Sequence, residues 1–474
     1  MLLLSSGIFN ISSWPRPPHD VFAPTTGMNR ILRTEQPGGT LQEHTPLVAC
    51  DQGGTTSYVS SPIGGQTVDG PASLNHQAVE MAQALTTVTA TVLTRETDFD
   101  ALAEEWDELV SAGCQHGVFF LRWHWNRVWW RMYAPPHSEL FLIACRDRSG
   151  QLVGLAPLYR HRLSVYDFFT IQQICFIGTG TKLKVSEHLD IIAREGYQHL
   201  VGQAVAASIQ RDTTWQRLWL WGIHADSPVL PHVTKAFGKT SPARPCDRLP
   251  YVATRADWTT VKLGFGSNLR TNIDRYIRRI QKDYKCQFHR VRTPEQLEEF
   301  MDSFVQLHQE RWHSKGEPGS FSLPNRKEFM QETLREAFRC DRARLWTLFL
   351  DGQCVAVLQA FVDRGVVHYF QGGFKSGYDK HHLGSVMLAL AIQDCVQADD
   401  VDEFDFMGGG GAYKDHWTKT SHEALEFEVL RAGFGPKLFE AIRYVVCLYK
   451  RTLPENVRKK IRKALGSLAP SSLR

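Results

Sequence analysis

The stretch that decides the reading runs from Arg344 to Trp417. It reads "RLWTLFL" (344–350), "QCVAVLQAFV" (353–362), "VVHYFQGGF" (366–374), "KSGYDKHHLGS" (375–385), "VMLALAIQDCVQ" (386–397) and "VDEFDFMGGGGAYKDHW" (401–417). The first three segments are apolar and β-prone, and Asp351-Gly352 and Asp363-Arg364-Gly365 supply hairpin turns between them. The segment from Val386 has helical length with neither Pro nor Gly inside it. A short apolar strand then breaks into four glycines, Gly408–Gly411. The order is an antiparallel meander, a loop opening a helix, and one further strand.

Working outward, an earlier stretch has the same order. "ELFLIACRDRSGQLVGLAPLYRHRLSVYDFFTIQQICFIG" (139–178) is a second meander, followed by a helix through Gln198–Gln210 and a strand over Arg217–Ile223. This parallel predicts an internal duplication, two halves of one α/β fold with mixed sheets. The first half has neither the Gly-opened helix nor the Gly-rich turn, so it is expected to shape a substrate cleft while the second half does the binding. The expected organisation is a disordered leader over 1–89, halves over 90–250 and 251–435, and a basic helical tail over 436–474. The leader is rich in Gly, Pro, Ser and Thr and buries too little apolar surface to offset its ordering entropy.

Composition narrows the class. Apolar content of 43% and charged content of 22% are those of an ordinary globular protein, and the net charge of +4 does not advertise nucleic acid as the main partner. Ten cysteines without metal-ligand spacing read as reduced thiols of a cytoplasmic protein, and no metal is expected. No run of uncharged apolar residues reaches the roughly 18 needed to suggest a membrane span.

Three pieces carry a family resemblance: Gly377-Tyr378-Asp379 with Leu383-Gly384-Ser385 at a helix start, Phe404-Asp405-Phe406-Met407-Gly408 at a strand end, and Tyr413-Lys414-Asp415-His416-Trp417. In order and spacing they resemble the GNAT acyltransferases, and most closely the CelD/BcsL-type acetyltransferases associated with cellulose and exopolysaccharide synthesis. Those are in turn similar to the Fem-type aminoacyltransferases of peptidoglycan synthesis. The resemblance implies tandem GNAT-like domains with acetyl-CoA, or another acyl-CoA, as co-substrate and a saccharide or nucleotide sugar as acceptor.

The residues supply matching chemistry. A helix start with free N–H groups suits a pyrophosphate, so Lys380, His382, Leu383, Gly384 and Ser385 are the expected cofactor loop, although the family's Gly-rich consensus is reduced here to one Gly. Gln371 and Gly372 lie on the strand expected to offer edge amides to pantetheine, and Gly372-Gly373 suggests a bulge or a close backbone approach. Asp405 alternates with Phe404 and Phe406 and so faces the other side of the sheet, where burial that raised its pKa would make it a general base. It also reads as a cap on the Gly-rich turn. Lys414, with Tyr413 beside it, is placed by the resemblance near the developing negative charge. His308 and Arg311, one helical turn apart, and Trp417 are the expected substrate contacts, with a packed structural His as the other reading of His308. No Ser-His-Asp or Cys-His order is evident, which points to direct transfer without a covalent intermediate.

Three further stretches stay open. The run from Trp123 to Tyr133 is either a core helix or a sugar-stacking platform. On the helix starting at Ser267, the cations Arg275, Arg278, Arg279 and Lys282 are a solvated face or an anion-facing one. The basic tail, with Lys450, Arg451, Arg458, Lys459, Lys460, Arg462 and Lys463, reads as solvated helices or as a peripheral membrane contact. Two other functions fit the same pattern: a Fem-like aminoacyltransferase using aminoacyl-tRNA, or a GNAT-fold component of a polysaccharide machine that no longer catalyses.

Overall fold

A computed structural model describes residues 87–452 except 114, 166–168, 182–184, 239–241, 314–315 and 317. The expected leader to residue 86 and the basic tail beyond residue 452 lie outside the described residues. The strands are β1 (Thr89–Leu93), β2 (Glu139–Arg146), β3 (Leu152–Val165), β4 (Phe169–Phe176), β5 (Ile192–Ala193), β6 (Arg217–His224) and β7 (Arg244–Ala253), then β8 (Cys286–Arg290), β9 (Ala343–Leu350), β10 (Gln353–Asp363), β11 (Val366–Phe374), β12 (Glu403–Asp405) and β13 (Ser421–Leu430). The helices are α1 (Glu96–Ala101), α2 (Ala103–Ala112), α3 (Trp123–Tyr133), α4 (Gln198–Arg211), α5 (Leu230–Phe237) and α6 (Trp258–Leu263), then α7 (Ser267–Asp283), α8 (Pro294–His313), α9 (Arg326–Arg339), α10 (Leu383–Val396) and α11 (Phe434–Thr452).

The local chemistry explains these elements. Asp351 and Gly352 (φ +51° and +80°) and Arg364 and Gly365 (φ +49° and +79°) take the left-handed pairs that tight hairpins require. At the start of α8, Thr293 Oγ1 accepts from Gln296 N at 3.4 Å and Gln296 Oε1 accepts from Thr293 N at 3.3 Å, a reciprocal cap. α7 buries Leu269, Ile273 and Ile280 as its apolar spacing predicts, but Ser267 is its first helical residue and Gly266 its cap. The helical run from Glu96 to Ala112 breaks at Leu102 into α1 and α2, with Phe99, Leu102, Trp106 and Leu109 all buried.

The sheet shows the duplication directly. β1 to β4 form an antiparallel ladder, β4 pairs in parallel with β6, and β6 pairs with β13. In the second half β8 to β11 form the antiparallel ladder, β11 pairs in parallel with β12, and β12 pairs with β7. Each half therefore borrows its last strand: β7 leaves the first half to pair with β12, and β13 leaves the second to pair with β6. β7 and β13 pair with each other and close one continuous sheet. The expected boundary at residue 250 falls inside β7.

The stretch from Val118 to Tyr133 is core. Phe119 stacks on Phe361 at 4.2 Å, Trp125 meets Phe329 edge-on at 5.0 Å, and Trp125 and Trp129 are at most 2% exposed, so these two rings are packed in the core and offer no face to a sugar. Beside them Arg122 makes a buried two-pronged ion pair with Asp363, 2.7 Å from Nε and 2.9 Å from Nη2. No helix among the described residues is long and apolar enough to cross a membrane.

Candidate functional site

Parallel strands β11 and β12 stay paired only from Val366↔Glu403 to His368↔Asp405, after which β11 continues to Phe374 alone on that side. Opposite β10 the register shifts, with Gln359 facing Gln371 and Ala360 facing Tyr369, so Phe370 is a bulge. The bulge sits two residues before the expected Gly pair. Gly373 serves the other purpose, because a Cβ there would lie 3.0 Å from His308 N, where α8 crosses the strand. The two strands thus splay open toward the start of α10, with the Gly-rich turn after β12 on one lip.

On the lip of that opening two expected residues, Arg311 and Tyr413, meet Tyr369 and Phe374. The Arg311 guanidinium lies 4.0 Å over the Phe374 ring and is close enough to interact with Tyr369 and Tyr413. The hydroxyls of Tyr369 and Tyr413 are hydrogen-bonded to each other. Although Tyr413 is 45% exposed, burial of its hydroxyl end raises its pKa against the opposing pull of Arg311, so the phenol is protonated.

The expected cofactor loop is a 3₁₀ turn, Asp379–His381, leading through His382 (φ +50°) into α10. The His382 carbonyl takes the N–H groups of Ser385 and Val386 at 2.9 and 3.0 Å. The N–H groups of Leu383 and Gly384 have no carbonyl within the helix to meet. Lys380 and His382 are exposed, Ser385 is half-buried, and the Leu383 side chain is core. Gly384 is small because of Phe374: a Cβ would lie 3.2 Å from that ring. Gly372 is tight against Tyr369, whose hydroxyl oxygen would be 3.0 Å from an added Cβ.

Several expected residues sit elsewhere. Trp417 is 2% exposed and packs between Phe265 and Phe406, so it is a core residue and contacts no substrate. His308 is buried, and its Nε2 lies 3.0 Å from Trp312 Nε1 and beside the Gln371 amide. Burial and the nearby charges of Arg326 and Arg311 bring His308 down to about 4, so it is neutral and structural. Gln371 belongs to the same network, 3.2 Å from Ser320 Oγ and 3.3 Å from Arg326 Nη2, and its side chain faces α8.

Asp405 does face away from Phe404 and Phe406, but its environment reverses the expected electrostatics. Its Oδ2 is 2.7 Å from His188 Nε2 and 2.9 Å from His368 Nδ1, and its Oδ1 accepts from Met407 N at 2.7 Å. Burial pushes its pKa up, but the two histidines outweigh that and hold the carboxyl well below the usual range. It is a fixed anion that caps its own turn. Lys414 also turns inward, with Nζ 2.8 Å from the Met407 carbonyl and 2.6 Å from that of Gly408, and burial lowers its pKa.

A carboxyl with a raised pKa does touch this turn, and it is one that the sequence did not single out. Glu187, half-buried on the loop before β5, accepts from Gly408 N and is pushed up by burial. Asp247 Oδ2 accepts from Gly409 N at 2.8 Å, so carboxylates contributed by the first half and by β7 hold the glycine turn of the second. Around this turn two groups of potential metal ligands meet: His188, His368 and Asp405, and His116, His224 and His422. Glu403 Oε2 is 3.0 Å from His422 Nε2.

Comparison with known proteins fits this geometry. Residues 267–415 match the acetyltransferase (GNAT) domain family, so the second half carries a domain of the GNAT acyltransferase type. Among solved structures the chain is similar to FemX, with 11% identity and a TM-score of 0.50 over 72% of this chain and 98% of that one. It is also similar to a conserved protein of unknown function from Bacteroides thetaiotaomicron (9% identity, TM-score 0.46, 72% and 100% covered). A tandem GNAT protein from the clavulanic acid biosynthesis pathway matches at 13% identity and a TM-score of 0.39, with 73% and 99% covered. No curated protein matches the chain.

Proposed function

We propose that the opening between β11 and β12 binds an acyl-CoA, and that the protein passes its acetyl or other short acyl group to a hydroxyl or amine of a saccharide or nucleotide sugar in envelope or exopolysaccharide synthesis. The observation that carries this reading is the splay, which frees backbone amides of β11 beside the first turn of α10. A pantetheine arm can pair with freed amides, and a helix start suits its pyrophosphate. In this reading Glu187 takes the proton from the acceptor, the acceptor oxygen or nitrogen attacks the thioester carbonyl, and the C–S bond breaks. The protonated phenol of Tyr413 then returns a proton to the departing thiolate.

The test is release of free CoA thiol from acetyl-CoA in the presence of a panel of amino sugars and nucleotide sugars. Acceptor-dependent release with a matching acylated product supports the reading, and acyl-CoA turnover with none of the panel refutes the acceptor class. A second reading is an aminoacyl-tRNA donor, favoured by one observation. Arg275, Arg278 and Lys282 are exposed on α7, whose Tyr276 stacks on His382 at 4.0 Å, so a basic face adjoins the same helix start. Transfer of an amino acid from charged tRNA, abolished by ribonuclease, would select it. Absence of either transfer, with the protein folded, leaves the non-catalytic component.

A further inference from the structure

We propose that His116, His224, His422 and Glu403 form a binding site for one divalent transition-metal ion of the zinc type, clamping the two halves together where they exchange strands. The site does not depend on the acyltransferase reading. His116 comes from the loop between α2 and α3, His224 from the end of β6, Glu403 from the start of β12 and His422 from the start of β13. The imidazole centroids of His116, His224 and His422 are 4.6 to 4.8 Å apart. Each of these side chains offers one ligand atom, and the three atoms lie within 4.8 Å of one another.

The spacing matches the chemistry of the ion. Zinc bound at about 2.0–2.2 Å in a tetrahedron holds its donors about 3.4 Å apart. Here Glu403 Oε2 is 3.0 Å from His422 Nε2 and Glu403 Oε1 is 3.7 Å from His116 Nε2, values that bracket that separation. The donor atoms also have little else to do. His116 Nε2, His224 Nε2 and Glu403 Oε1 are enclosed without a hydrogen bond, and His224 and Glu403 are only 4% and 8% exposed. Enclosed, unpartnered nitrogens within one histidine cluster indicate a common ligand, and a cation satisfies these imidazole lone pairs while Glu403, beside His116 and His422, supplies negative charge.

The surroundings favour a cation and orient its ligands. Asp226 Oδ2 is 3.7 Å from His224 Nδ1. With Nε2 on the metal, Nδ1 carries the proton and turns from accepting the Asp226 N–H to donating to that carboxylate, the usual carboxylate–histidine–metal arrangement. Tyr251 stacks flat on His422 at 4.2 Å and fixes its plane. The neighbouring group of His188, His368 and Asp405 is less suited, because the imidazole nitrogens that face the carboxylate are both bonded to one oxygen of Asp405 and all three side chains are fully enclosed, with no entry path. The His116 side chain is 32% exposed, which leaves an entry path for the ion.

The experiment uses the untagged full chain, stripped with chelator and then given zinc or cobalt(II). The expected results are one metal per chain after gel filtration, a cobalt d–d spectrum of four-coordinate intensity, and a Tm that zinc raises. His224→Ala/His422→Ala is expected to lose all three. Should that variant fail to fold, His116→Gln, altering the half-exposed loop ligand, is expected to weaken zinc binding by at least about tenfold. The proposal is overturned if the wild type retains no metal and shows no Tm shift, or if folded variants bind zinc as the wild type does.

Discussion

At the scale of single residues, the two acidic groups of the seam behave oppositely because their partners differ. Asp405 meets two imidazoles and one N–H, so its anion is strongly preferred, and removing it strands His188 and His368 in a fully buried place. Asp405→Ala is expected to cost about 3–5 kcal/mol of stability by denaturant titration, the penalty for breaking a buried charged network. Glu187 is held by Gly408 N and pushed up by burial, the direction that strengthens a carboxylate as a base. Glu187→Gln is expected to lower kcat at least about tenfold and remove the acid limb of its pH profile, with KM for acetyl-CoA little changed. A merely structural Glu187 would leave the profile where it was.

Two other buried groups, both histidines, lower stability on acidification, against the buried Asp190, which is raised to about 7 and acts the other way. His161 and His308, ordinarily near 6.5, are both brought to about 4, by burial first and by neighbouring arginines second. The unfolded chain therefore binds protons that the folded one refuses between about pH 6.5 and pH 4. Stability is full above that window and falls on acidification by about 1.4 kcal/mol per pH unit for each histidine. Urea midpoints across the range check this, and His308→Gln should flatten the slope. At this scale the sequence was half legible. Alternation with Phe404 and Phe406 gave the direction of Asp405, but its partners at 188 and 368 are set by pairing that no local pattern encodes. Trp417 misled because an aromatic after a glycine turn looks the same whether it faces a cleft or fills the core.

At the scale of elements, most of the second half was readable. The turns at Asp351-Gly352 and Arg364-Gly365, the strand lengths and the helix after Leu383 all follow from local chemistry. The Phe370 bulge was misplaced by two residues because glycines suggested it, whereas Gly373 is small to admit α8. The α3 helix shows how burial decides between two functions for one composition. Trp125 sits among Phe119, Phe120, Phe329 and Phe361, so Trp125→Ala is expected to cost about 3–5 kcal/mol while leaving any saccharide affinity unchanged. A loss of saccharide binding without a loss of stability would restore the stacking role.

At the scale of the whole molecule, the strand exchange makes the halves interdependent. The duplication was visible as a repeated order of elements, but a period-2 pattern says that β7 and β13 are strands without saying whose neighbours they become. A fragment covering 251–435 would keep the three β7 residues that pair with β12 but lose every β6 and β7 partner of β13, leaving that strand with two open edges. It is expected to aggregate or to exchange all amide hydrogens rapidly, whereas independent folding would contradict the exchange. The splay of β11 and β12 with the start of α10 is the proposed acyl-CoA site. Calorimetric titration of acetyl-CoA into the wild type and Ser385→Asp tests it most directly, since that substitution adds a negative charge to the first turn without the collision with Phe374 that Gly384→Glu would cause. Micromolar binding to the wild type, weakened at least about tenfold in the variant, is the expected result. No binding by the folded wild type, or equal binding by both proteins, would contradict it.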